Sequence, residues 1–154
     1  MAVNDATYNL SFHEILTKVN NAKDKPKKIE VLKKYDTNEL RMFLKGAFDE
    51  KLEWLLPEGS PPYTPNEAPV GTEHTWLKQE VKRMFHFLKG GNPHLSQMKR
   101  ANMFIQMLEG LCEEEAKLLV WAKDGELNKH YKGLTANLIK EAFGWNDDFM
   151  RKNA

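Results

Sequence analysis

Pro57, Pro61, Pro62, Pro65 and Pro69 fall in one short stretch and fix the plan of this chain. Each withholds a backbone donor and clashes with a preceding helical turn, so no helix can cross the stretch. A central strand cannot absorb so many missing N–H groups either. Residues 49–74 are therefore expected to form either a long ordered crossover or a mobile loop. Connections beyond ~12–15 residues without secondary structure are uncommon unless functional or disordered. Trp54, Leu55, Leu56 and Tyr63 predict that parts of this one pack on the body.

On both sides of the crossover the apolar residues recur every three or four positions, the period of a half-buried helix. Ser11-Phe12-His13-Glu14 is a capping-box pattern, in which a hydroxyl and a carboxylate three apart satisfy two amides at a helix start. Phe12, Ile15, Leu16 and Val19 line one face after it. Asp24 before Pro26 opens a second helix with Ile29, Leu32 and Tyr35, and Asp36-Thr37 a third with Leu40, Phe43, Leu44, Ala47 and Phe48. Beyond the crossover, Leu77, Val81, Met84, Phe85 and Leu88 form a stripe ending at Gly90-Gly91. Ser96 caps a helix with Ala101, Phe104, Ile105 and Leu108. Glu113-Glu114-Glu115 suits a helix N-terminus, ahead of Ala116, Leu119, Val120 and Trp121. Thr135 caps a last helix with Leu138, Ile139, Ala142 and Phe143, stopped by Gly144. No run alternates with period two. The expected fold is all-α: a compact single domain of seven to eight short helices over residues 11–146, with the Pro-rich loop 49–74 inside it. Residues 1–10 are expected as a flexible arm and 147–154 as a tail.

The 154 residues fit one domain large enough to bury a core without staples. With 41% apolar and 29% charged residues, the chain reads as globular. Its single cysteine, Cys112, excludes an internal disulfide, and no signal sequence or apolar span of ~20 residues occurs. A cytoplasmic location, the host's if the chain is phage-encoded, with no membrane association, is the expectation. A formal net charge of +1 hides a strong pattern. Residues 1–48 carry +3, residues 49–74 carry −5, residues 75–110 carry +4 and residues 111–154 carry −1.

Catalytic motifs fail on spacing. Lys123-Asp124-Gly125 lacks the residue that separates lysine and aspartate in the nucleotide-accepting motif of DNA ligases, and this chain has no room for the domain that motif needs. His13, His74, His86, His94 and His130 are scattered, without the three- or four-residue spacing of metal ligands, so no metal is expected. Cys112 precedes three glutamates, whose field raises a thiol pKa where a nucleophile needs it lowered. Gly90-Gly91 belongs to no phosphate loop. The expectation is a protein that is not an enzyme and takes no cofactor.

The basic groups offer more. Lys82 and Arg83, then Lys99 and Arg100, flank the helices after the crossover. Lys129, Lys132, Gly133 and Thr135 lead into the last helix, joining two cations to a helix N-terminus, a combination suited to phosphate.

The order of elements resembles the N-terminal, all-helical DNA-binding domain of ATP-dependent DNA ligases of the T-even phage type. The likeness runs from about Leu10 to Trp145. It rests on Phe12-His13-Glu14-Ile15-Leu16, on Lys28-Ile29-Glu30-Val31-Leu32-Lys33-Lys34-Tyr35 with Asn38-Glu39-Leu40, and on the crossover at Trp54 and Pro57. Phe85-His86-Phe87-Leu88, Leu108-Glu109-Gly110-Leu111, Glu126-Leu127, Gly133-Leu134-Thr135 and Phe143-Gly144-Trp145 continue it. The chain is also similar to small proteins of T-even-like tailed phages, including cyanophages, a likeness that brings no function. The ligase resemblance implies a minor-groove grip on both sides of a nick, with Gly133 and Thr135 at one contact. Compared with that domain, extra residues are expected between Leu127 and Gly133, and no nucleotidyltransferase or OB domain is expected.

Two functions are therefore expected. The first is a stand-alone phage accessory module that binds duplex or nicked DNA through Lys82, Arg83, Lys99, Arg100, Lys129, Lys132, Gly133 and Thr135. The alternative is an adaptor docking on a host or phage replication protein through loop 49–74, with Trp54 and Tyr63 as anchors.

Overall fold

The computed structural model describes residues 10–68 and 74–145. Among them stand eight α-helices and one 3₁₀ segment. The helices are α1 (Phe12–Asn21), α2 (Lys25–Lys34), α3 (Asn38–Phe48), α4 (Leu77–Glu80), α5 (Gln97–Gly110), α6 (Glu113–Lys123), α7 (Leu127–His130) and α8 (Ala136–Phe143), and Val81–Phe87 forms the 3₁₀ segment. The described residues form no strand, only isolated bridges that join Trp54 to Leu88, Asn66 to Cys112 and Thr75 to Leu111. The fold is mostly helical, in agreement with the periodicity. The expected arm and tail fall almost wholly outside the described residues; Leu10, the last residue of the arm, packs against the core.

Local signals set the helix starts. Ser11 and Glu14 form the reciprocal capping box, with Oγ accepting from the Glu14 amide at 3.2 Å and the Ser11 amide donating to Oε1 at 3.0 Å. Asp24, Thr37, Ser96 and Thr135 each accept the amide three residues on, at 3.0, 3.1, 3.2 and 3.2 Å. Each such cap contributes about 1 kcal/mol. Helix α8 ends at Gly144, whose φ of +62° only glycine adopts without strain.

One expected stripe is corrected. Phe85 is exposed, whereas Val81, Met84 and Phe87 are buried. The 3₁₀ geometry is the reason: at three residues per turn, positions 81, 84 and 87 eclipse on one face, and an α-helical reading puts Phe85 inward instead.

Helix α6 lies at the centre. Leu118, Leu119, Val120 and Ala122 are all buried with Ala116, so the helix is covered around most of its circumference. It packs against α1, α3, α5 and α7. Glu115, in its first turn, is buried and accepts the Phe12 amide at 3.2 Å and the Leu77 amide at 3.0 Å. Helix α4 has no side-chain cap of its own, so this carboxylate supplies it from a distant part of the chain. The starts of α1, α4 and α6 thus converge on one group, and their dipoles favour a negative charge there.

The far end of α6 holds the crossover. Lys123 and Asp124 form an ion pair whose side chains are 2% and 5% exposed. Lys123 Nζ also donates to the carbonyls of Pro57 (2.7 Å) and Gly59 (3.0 Å), and the Gly59 amide donates to Asp124 Oδ2 at 3.1 Å. Further along, the Leu55 amide donates to Phe87 O (2.8 Å), Gln97 Nε2 to Leu55 O (2.7 Å) and the Thr64 amide to Glu109 Oε2 (2.9 Å). From 49 to 68 the segment is a strap tied to α5, α6 and the 3₁₀ segment. Lys123 and Asp124, whose spacing fails as a catalytic motif, are its main clasp.

Two outcomes follow from these buried charges. Glu115→Ala strands two amides and lowers stability by on the order of 3 kcal/mol, measured by denaturant unfolding, while Glu115→Gln keeps an acceptor and loses less. Burial raises the Glu115 pKa above its ordinary 4.5, against the pull of the Leu77 and Phe12 amides and Lys78. The stabilising contribution of a carboxyl raised in this way is complete below its unfolded value and is lost as pH rises through the folded value. The Tm advantage of the natural chain over Glu115→Gln accordingly shrinks as pH rises from below the ordinary carboxylate value through the raised folded one. Lys123→Met leaves Asp124 buried without its partner, which costs about 3–5 kcal/mol, and limited proteolysis then cuts near Gly59.

Candidate nucleic-acid interface

The stretch between α7 and α8 alternates inward and outward. Tyr131 and Leu134 are buried, and Lys129, Lys132 and Thr135 are exposed. The Tyr131 hydroxyl lies 3.1 Å from His13 Nδ1, the Leu134 amide donates to Tyr131 O at 2.8 Å, and His130 stacks on Trp121 with ring centroids 3.7 Å apart. The loop is therefore held rigidly by its apolar members while its cations face solvent. Lys129 pairs with Glu126 at 3.5 Å. Lys132 makes no ion pair among the described residues. The Thr135 hydroxyl accepts the Leu138 amide, which leaves its proton for an outside acceptor.

Gly133 is committed to the interior and offers no amide to a ligand. Its N–H donates to Asn20 Oδ1 at 3.2 Å, and a Cβ there would lie 2.8 Å from Lys28 Cε and Nζ. Lys28 cannot yield easily, because its ammonium donates to the carbonyls of Val19, Asn20 and Ala22 at the end of α1.

The remaining expected cations are dispersed. Lys82 faces Glu39 at 3.7 Å and Arg83 pairs with Glu80 at 2.9 Å, both on the surface. Lys99 is exposed without an ion pair among the described residues. Arg100 requires a correction: it is buried, and its guanidinium donates to His86 O (2.9 Å), Gln97 Oε1 (2.7 Å) and Asn92 O (3.0 Å). His86 O belongs to the end of the 3₁₀ segment and Asn92 O to the turn after it, so Arg100 ties both to the start of α5 and is not placed to meet a phosphate.

A second basic surface, outside the expected groups, lies on α1 and α2. Helices α1 and α2 enclose an open groove lined by Lys18, Lys27 and Lys34, with Glu30 among them and Ala22 and Val31 as apolar floor. The three lysines are exposed and make no ion pair among the described residues; Lys34 lies 5.5 Å from the Tyr35 ring. The Lys132 loop abuts the same α1–α2 junction through Gly133, Asn20 and Lys28. The +3 charge of residues 1–48 was the available signal, but it did not say which lysines share a face.

The two aromatic anchors of the adaptor reading are partly folded in. Trp54 is half-buried, and its Nε1 donates to Gly46 O at 2.9 Å. A Cβ at Gly46 would meet Met84 Cε at 2.5 Å and Trp54 Cζ2 at 3.4 Å, which explains a glycine inside α3. Tyr63 is half-buried, and burial with the nearby Glu113 charge raises its pKa. Cys112 is buried too, its thiol pushed up first by desolvation and further by the charges of Glu115 and Glu114. Among the described residues no group of acidic, histidine and cysteine side chains could hold a metal, and no helix is long and apolar enough to cross a membrane.

The neighbours Lys99 and Arg100 separate surface from scaffold. Arg100→Ala is expected to lower Tm by several degrees through the loss of hydrogen bonds to buried carbonyls, while Lys99→Ala leaves Tm unchanged in the same thermal melt.

No curated protein and no solved structure matches the chain. Residues 15–129 match a family of unknown function, DUF6433, and the chain belongs to that family.

Proposed function

We propose that this protein is a non-enzymatic nucleic-acid-binding module, a phage accessory protein of the host cytoplasm, with the fold of the ligase N-terminal DNA-binding domain. It grips duplex or nicked DNA by phosphate and shape. Two observations carry this reading: the loop before α8 holds Lys132 and the Thr135 hydroxyl out to solvent, and the α1–α2 groove is lined by Lys18, Lys27 and Lys34. Cations held on fixed elements and free of internal partners suit phosphate contact, since no internal pair has to be broken first. Lys99 extends the interface; Lys129, Lys82 and Arg83 belong to it less directly, being engaged with Glu126, Glu39 and Glu80. Arg100 and Gly133 support it from within.

Fluorescence anisotropy with labelled intact and nicked duplexes across a salt series tests this. Each phosphate neutralised adds about −0.9 to the slope of log K against log salt. Lys27→Glu combined with Lys132→Glu is expected to flatten the slope by about 2 and to weaken both duplexes. Both residues are exposed, and circular dichroism checks that the fold is intact. Absence of salt-dependent binding, or indifference to the double charge reversal, refutes the reading.

A further inference from the structure

The strap has two differently furnished flanks. On one side, between the end of α3 and the α6–α7 turn, lies an open groove of about 600 Å³ floored by Phe48, Leu52, Trp54 and Leu56. Five carboxylates line it, those of Asp49, Glu50, Glu53, Glu58 and Asp124, against a single ammonium, Lys123. Asp124 and Lys123 cancel one another in their buried pair, so the groove presents a net charge of −4. Outside the lining, Lys89 lies 3.9 Å from Glu53 with both side chains mostly exposed, a pair too solvated to neutralise the groove, and Lys51, between Glu50 and Leu52, is exposed and not part of the lining.

On the other side of the same strap lies a smaller pocket of about 330 Å³, between Leu56–Pro62 and the Ala101, Phe104 and Ile105 face of α5. Met98 stands one turn before Ala101 on that face and is 76% exposed. An exposed methionine next to a concave apolar pocket is an adaptable contact surface. Leu56, Glu58 and Lys123 line both cavities, so the two are adjacent and only the strap divides them. The strap does not collapse under load, because Lys123, Asp124 and Gln97 hold its backbone.

We propose that this composite surface docks a basic peptide segment of a protein partner. An apolar side chain of that segment enters the pocket against Ile105 and Met98, and neighbouring lysines or arginines cross the strap into the acidic groove. Charge complementarity selects the partner: a nucleic acid or an acidic segment is repelled from the groove, and an uncharged apolar segment leaves its carboxylates unused. The surface uses none of the cations assigned to nucleic acid above, although it borders Lys99 at Met98 and Lys129 and Thr135 at Asn128 and Ala136, and it stands independently of that reading.

The test uses the full chain and three labelled synthetic peptides, measured by fluorescence anisotropy: one of lysines with two leucines, one with glutamates replacing the lysines, and one with serines replacing the leucines. The lysine–leucine peptide is expected to bind at least about tenfold tighter than either control. Glu50→Lys with Glu58→Lys, both at exposed positions, is expected to weaken it by about tenfold, and so is Met98→Glu. The glutamate reversals are not expected to weaken duplex DNA binding. Equal binding of the lysine–serine peptide reduces the site to bulk electrostatics and overturns the proposal, as does binding indifferent to these substitutions or no binding at all. Concentration-dependent self-association in sedimentation, abolished by Met98→Glu, assigns the surface to a second copy of the chain and also overturns it.

Discussion

The buried carboxylate of Glu115 is the point on which this fold depends. A charged group in an apolar interior is costly unless its hydrogen bonds are made, and here two backbone amides make them. Those amides begin α1 and α4, which are 65 residues apart at Phe12 and Leu77. A helix start also leaves amides that need acceptors. The two requirements satisfy each other, so one side chain fixes where the first half of the chain, the second half and the central helix meet.

From that junction α6 organises the rest. Its first turn gathers the helix starts, its middle is covered by apolar side chains, and its last turn clasps the strap through Lys123 and Asp124. The prolines leave the strap short of donors for regular structure, and side chains of α5 and α6 provide the bonds that ladder partners would have provided. The same arrangement separates the surfaces. Exposed lysines line the α1–α2 groove and stand on the α7–α8 loop, and carboxylates line the groove beside the strap.

Arg100 and Lys123 show how tertiary context reassigns a charge. In the sequence both are lysine or arginine residues in basic or charged clusters. In the fold each reaches carbonyls of an irregular segment that has few other donors. Long cationic side chains suit this role, because several N–H donors on a flexible stem can serve carbonyls that no backbone amide reaches. Such a role leaves no periodic trace, so sequence spacing gives no warning of it.

The sequence by itself determined the helical class, the starts of α1, α2, α3, α5 and α8, and the core faces of α1, α3 and α8, because capping and 3.6-residue periodicity are local rules. It also showed that no helix could cross the prolines and that charge was unevenly divided. Only the tertiary structure decided that residues 81–87 wind as a 3₁₀ segment, turning Phe87 in and Phe85 out. The same is true of Glu115 at the helix junction, of Lys123 and Arg100 as internal clamps, and of Lys18, Lys27 and Lys34 as the lining of one groove. Each of these depends on groups far apart in the chain meeting in space, and the periodicity of one segment does not contain the position of another.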